Sequence, residues 1–124
     1  MKGDPSVPMR SAALDATFAA LADPARRAML SQLTRGPAAV TKLARPLSMS
    51  LPAVMQHLAV LEQAGLVGSH KLGRVRLCRL EPQALSQAEQ WINQRRGEWE
   101  RRLDRLGDYL HGLKQRGDND ERGN

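Results

Sequence analysis

Cysteine occurs once in the 124 residues, at Cys78, which excludes an intrachain disulfide and any zinc site built from several thiolates of one chain. The bland role for such a residue is that of a small apolar side chain on a strand. Long hydrophobic runs are missing as well. No apolar stretch approaches the roughly 20 residues of a membrane span, and Met1 to Ser11 lacks the apolar segment of a secretory signal. A cytoplasmic chain with no membrane partner is therefore expected. Histidine is scarce, with His57, His70 and His111 the full set, and together with Cys78 they make no recognisable acid, base or nucleophile constellation. No glycine-rich phosphate loop occurs either, so neither catalysis nor a bound cofactor is expected.

Acidic residues are in the minority. Thirteen Asp and Glu face 19 Lys and Arg, a formal net charge of +6, which favours polyanionic partners without saying which. The length suits about one domain with a modest core. It is expected over residues 12–113, between flexible tails at 1–11 and 114–124 that are polar and without periodicity.

The most informative segment runs from Ser50 to Val67. Ser50 stands where an N-cap oxygen is wanted, Pro52 is tolerated in a first turn whose N–H groups lack partners, and Gly65 supplies a left-handed residue after the last turn. Val54, Leu58 and Leu61 share one face with Leu51, leaving Pro52, Ala53, Met55, Gln56 and Ala59 turned away or flanking. Upstream, Leu14, Phe18, Leu21 and Ala22 form a short helical stripe, and Asp23-Pro24 then caps and opens a second helix through Ala28, Met29, Leu30 and Leu33 to the Gly36-Pro37 break. Val40, Leu43, Ala44 and Leu47 suggest a third short helix, interrupted by Pro46 and capped poorly by Thr41 or the preceding alanines. This helix and the capped one after it make a helix-turn-helix.

After Gly65 the pattern alternates. Residues 66–71 and 75–80 flank Leu72-Gly73-Arg74, a two-stranded hairpin with Val75 and Leu77 on one side and Arg76 with Cys78 or Arg79 on the other. Lys71, Arg74 and Arg76 make its tip basic with no acid between them, which suits either a solvated loop or a contact with a polyanion. Glu81-Pro82 then opens a long amphipathic helix through Leu85, Ala88, Ile92, Trp99, Leu103, Leu106, Leu110 and Leu113, and Trp91 is on it too. Its apolar face exceeds what a small core covers, which suggests a subunit interface, the alternative being a helix folded back over its own core. Gly97 and Gly107 each weaken it by about 1 kcal/mol relative to alanine. The fold class is mainly α with a small β-hairpin, in the order α-α-α-α-β-β-α, a winged helix-turn-helix.

Three stretches resemble the ArsR/SmtB-type bacterial transcriptional repressors: residues 18–30 with Leu21-Ala22-Asp23-Pro24-Ala25-Arg26-Arg27, residues 49–67, and Gly73 to Leu80. The resemblance covers roughly residues 14 to 110, and the segment from Trp91 to Leu110 looks like one branch of the family. It implies a regulator binding double-stranded DNA as a homodimer through its first and last helices, with Leu14, Phe18, Leu21, Trp91, Trp99, Leu103, Leu106 and Leu110 at the interface. Two recognition helices would enter successive major grooves of a palindromic operator, with half-sites about one helical turn apart. By position, Ser50 would cap and touch phosphate, Ala53 and Gln56 would lie near base edges, and Lys71, Arg74 and Arg76 would grip phosphate or the minor groove. Gln56 is the best candidate for direct readout, since its amide can pair with adenine bidentately. Met55 stands where many relatives carry serine, which removes a hydroxyl and favours a thymine methyl or packing. His57 has either a phosphate role or a structural one.

Metal sensing, the family's best-known activity, finds little support. Val40 to Leu47 contains no cysteine, and Asp104, Asp108 and His111 follow i, i+4, i+7 spacing without the second histidine of relatives. Charge balance against Arg101, Arg102 and Arg105 explains the two carboxylates more simply. Redox sensing at Cys78 lacks a resolving thiol, although Arg76 and Arg79 would lower its pKa if it were exposed. A metal- or redox-responsive regulator and a protein-interaction module that has lost DNA binding stand as alternatives, and the basic hairpin argues against the latter. For the effector, the sequence leaves a small molecule, a partner protein and none at all as open alternatives.

Overall fold

The computed structural model describes residues 10–122. Helices α1 (Arg10–Leu21) and α2 (Pro24–Leu33) lead into the two-residue strand β1 (Ala38–Ala39), then α3 (Val40–Ala44) and α4 (Leu51–Gln63). Strands β2 (Val67–Leu72) and β3 (Val75–Leu80) follow, and α5 (Pro82–Arg122) completes the order. The chain up to Ala88 forms one unit, and α5 from Glu89 onward forms another.

Local chemistry sets the helix boundaries. Asp23 is the extended N-cap of α2, its Oδ1 accepting the N–H of Arg26 at 3.1 Å, with Pro24 next to it in the first turn. Ser50 does the same for α4, accepting the N–H of Ala53 at 3.3 Å. At the other end of α4, Gly65 takes φ +76°, its N–H bonds the Glu62 carbonyl, and the Leu66 N–H reaches back to the Leu61 carbonyl at 2.9 Å. That pair of bonds is a Schellman motif, sealed by the burial of both Leu61 and Leu66. The strand starts immediately after it.

The core of the first unit gathers Met29, Leu30 and Leu33 of α2, Val40 and Leu43 of α3, Val54, Leu58 and Leu61 of α4, with Leu66 and Cys78. The predicted inner face of α4 is thus the one that packs, except that Leu51, at its N-terminal edge, stays 49% exposed. Ala84 and Ala88 in the first turns of α5 are buried as well.

Three sequence expectations differ from the structure. The sheet has three antiparallel strands in the order β1-β3-β2, not two, because Ala38 pairs Cys78 and Ala39 pairs Leu77. Two alanines carry no alternating pattern that could have announced a strand. On the hairpin the strand alternation is the expected one: the side carrying Cys78 turns to the core, with Arg76 and Leu80 half-buried, while Val75 on the opposite side is exposed. The third helix stops at Ala44, two residues before Pro46, and Leu47 closes onto the Ala44 carbonyl in a turn. Its N-cap, Ala39, makes no side-chain cap bond. Finally, helix extends over positions expected to be tails: α1 starts at Arg10 and α5 continues past residue 114 to Arg122. Lys114, Gln115 and Arg116 are good helix formers, and the lone Gly117 costs about 1 kcal/mol, too little to stop a long helix. Of the expected tails, residues 1–9 and 123–124 lie outside the described residues.

Candidate nucleic-acid interface

Helix α4 buries Val54, Leu58 and Leu61 and exposes Leu51, Met55, Gln56, Ala59 and Val60. Ala53 is half-buried beside them. Of the exposed side chains in its first two turns, only Gln56 carries hydrogen-bonding groups.

His57 turns the other way. Its Nδ1 lies 3.2 Å from Nη1 of Arg26 and 3.9 Å from Oδ1 of Asp23, with the side chain 22% exposed. Arg26 in turn donates from Nε to the Ala20 carbonyl at 2.7 Å and from Nη2 to the Ala19 carbonyl at 3.1 Å. Arg27 donates to the Leu21 carbonyl at 2.8 Å. Two guanidinium groups thereby satisfy the Ala20 and Leu21 carbonyls at the end of α1 and share the Ala19 carbonyl with the Ala22 N–H. The backbone N–H of Arg26 holds the Asp23 carboxyl below its ordinary 3.8, against a smaller opposing effect of burial and with help from the charges of His57 and Arg26. The roles of Arg26 and Arg27 were missed from sequence, although there was a signal. Two cations in a first turn, where the helix dipole disfavours them, point to partners outside that helix.

The hairpin closes over Gly73-Arg74, with φ +66° at Gly73 and no positive φ at Arg74, the pattern of a type II′ turn. Lys71 pairs with Arg76 across the strands, and Lys71 and Arg74 are exposed. Arg76 is half-buried instead. It donates to Ser69 Oγ at 3.0 Å, and Ser69 donates to Glu62 Oε1 of α4 at 2.6 Å. The hairpin is thus tied to the C-terminal half of α4 by a side-chain chain that sequence spacing did not suggest. Arg79 is held by Glu81 at 2.8 Å and lies over Gly68, where a Cβ would come within 2.6 Å of its guanidinium. Between the hairpin, the start of α3 and the first turns of α4 lies an open cleft of about 240 Å³, walled by Val40, Leu51, Met55 and Val75, with Arg74 and Arg76 beside them.

Cys78 is fully buried, and burial pushes its thiol above the ordinary 9.0, with Glu62 adding to the shift and Arg76 opposing it. The condition under which its arginine neighbours would activate it is not met. Among the described residues no three His, Cys, Asp or Glu side chains come together as metal ligands, Asp104, Asp108 and His111 included. His111 instead faces Gln115, Nε2 to Nε2 at 3.0 Å.

In α1, Leu14, Phe18 and Leu21 are half-buried, and Leu21 packs on the core. Along α5, Trp91, Trp99, Leu103, Leu106 and Leu110 are all exposed, and the Arg95 guanidinium stacks 5.0 Å from the centre of the Trp91 ring. Among the described residues no helix is long and apolar enough to cross a membrane.

A helix-turn-helix whose second helix exposes one face, followed by a basic antiparallel hairpin, is a winged helix-turn-helix, an architecture of DNA-binding proteins. Residues 21–69 match the helix-turn-helix domain family. The HTH-type transcriptional regulator Rv2034 of Mycobacterium tuberculosis is 47% identical over 72 residues, 58% of this chain and 67% of that protein. Among solved structures, the ArsR family transcriptional regulator RHA00566 superposes with a TM-score of 0.69 at 45% identity, covering 71% of this chain and 97% of that one. An ArsR-like transcriptional regulator from Rhodococcus sp. RHA1 gives 0.68 at 34% identity, over 77% and 91%. The chain belongs to the ArsR family of transcriptional regulators. It is a DNA-binding transcriptional regulator, and its family and fold are not those of an enzyme.

Proposed function

We propose that the chain works as a homodimeric repressor on a palindromic operator, with α4 in the major groove and the wing along the adjacent backbone. The observation that carries this reading is the placement of an exposed, capped α4 face beside exposed Lys71 and Arg74 on one compact unit. Ser50, as N-cap, sits at the positive end of the helix dipole, where a phosphate is favoured. Ala53 and Gln56 follow at the base edges, and Arg76 supports the wing through Ser69 while adding to its positive field. Repression then follows from occupancy of the promoter.

The exposed apolar stripe of α5 supports a subunit interface, which includes the half-buried Leu14, Phe18 and Leu21 of α1 in this reading. Aromatic anchors such as Trp91 and Trp99 are the side chains that dominate interfaces. The test is to select bound duplexes from a random pool and follow their affinity with salt. The logarithmic slope should be about −0.9 per phosphate neutralised, and sedimentation of the Trp99→Ala variant should shift toward monomer. A chain that selects no duplex, or whose binding ignores salt, overturns the DNA assignment, and an unchanged dimer overturns the interface.

A further inference from the structure

The first turns of α4 carry apolar side chains that the core does not use. Leu51 is 49% and Met55 40% exposed. They stand at i and i+4 on one face and wall the cleft that Val75 of the wing borders from the other side. A major-groove edge offers hydrogen-bond donors and acceptors and a single apolar group, the C5-methyl of thymine. Pressing Leu51 or Met55 against an acceptor or amino group would strip water from it without replacing the bond. Only the methyl gains from such a neighbour.

We propose that Leu51 and Met55 form a 5-methylpyrimidine-reading site, so that this protein chooses its operator largely by methyl burial beside the one amide of Gln56. The proposal rests on the reading that α4 enters the major groove. Several observations converge on it. Arg74 and Arg76 lie at the same cleft as Met55, so a strand whose phosphates meet the wing presents its bases to the apolar wall. The unbranched Met55 thioether adapts to the methyl's position. Gln56, the next residue, suits an adenine, whose pairing partner is itself a thymine. The half-site is therefore expected to hold thymines clustered about an adenine.

The experiment uses the full chain and the duplex that it selects from a random pool. Each thymine of the half-site is replaced in turn by deoxyuridine, which removes the methyl and leaves the pairing edge intact. Where cytosine is tolerated, it is compared with 5-methylcytosine, which separates recognition of the methyl from recognition of thymine's O4. One or two thymines per half-site should each lose about fourfold in affinity, the equilibrium factor for one buried methylene-sized group. The Met55→Ala and Met55→Gln variants should bind the thymine and deoxyuridine duplexes equally at the Met55 position, and Leu51→Ala should do so at its neighbour. Both side chains are exposed, and circular dichroism checks that each variant is folded. Duplexes bound alike with and without every methyl, or a thymine preference that survives in all three variants, overturn the proposal while leaving DNA binding intact. A chain that selects no duplex overturns both.

Discussion

Arg26 donates through Nη1 to Nδ1 of His57 at 3.2 Å, joining the first turn of α2 to the middle of α4 across 31 positions of sequence. An arginine N–H can only donate, so Nδ1 is the accepting side of this contact. The same guanidinium closes the Ala19 and Ala20 carbonyls. One side chain thus fixes both the α1–α2 corner and the seat of α4.

Removing that side chain should be costly. Arg26→Ala should lower unfolding stability in urea by about 2–3 kcal/mol, the scale of charge-assisted bonds to partly buried partners. Lysine should restore little, because an ammonium cannot span the same acceptors in a fixed fork. His57→Ala should cost about 1 kcal/mol and leave the salt slope of DNA binding unchanged. A slope reduced by about 0.9 would instead put His57 on a phosphate.

Asp23 provides a pH test. Its carboxyl is held below 3.8 in the folded chain, chiefly by the Arg26 backbone N–H. A depressed folded value means that its contribution to stability is present above the unfolded pKa and is lost as pH falls through the folded one. The wild-type chain should exceed Asp23→Asn in melting temperature at pH 5–7, and the two should converge as pH drops below 3.8. A difference independent of pH over that window would assign the cap to geometry alone.

Gln56 and Arg74 should separate readout from attraction. Gln56→Ala should relax preference at one operator position by about 1–3 kcal/mol and barely change binding to random duplex. Arg74→Ala should weaken all duplexes alike and reduce the salt slope by about 0.9. Equal losses on specific and random DNA for Gln56→Ala would remove it from the reading surface.

The Cys78 thiol should resist alkylation in the native protein at pH 8 and react fully in denaturant. It is completely buried and its acidity is suppressed by that burial. Stoichiometric native reaction would reopen a redox role.

What could be read from the sequence was the chemistry that acts within a turn or two. The Asp23-Pro24 and Ser50-Pro52 starts, the Gly65 stop and the Gly73 turn are each decided by a side chain and a neighbouring backbone group. The long-range features were not legible. Ala38 and Ala39 become a strand only because β3 is present to pair with them. Arg26 finds His57, and Arg76 reaches α4 through Ser69 and Glu62, only once the helices and hairpin are packed. The candidate site followed the same division. Gln56 and the wing cations stood out by residue type, whereas the exposure of Leu51 depended on where α4 meets the core.

The Schellman turn at Gly65 leaves one residue, Leu66, between its glycine and the first residue of β2, and that residue is buried. No slack remains between α4 and the hairpin, and Glu62, Ser69 and Arg76 bolt them together a second time. In the proposed mode of DNA binding, α4 and the wing therefore meet the duplex as one linked piece. In the proposed homodimer, a signal would then act on the distance between the two copies of that surface rather than on the shape of either.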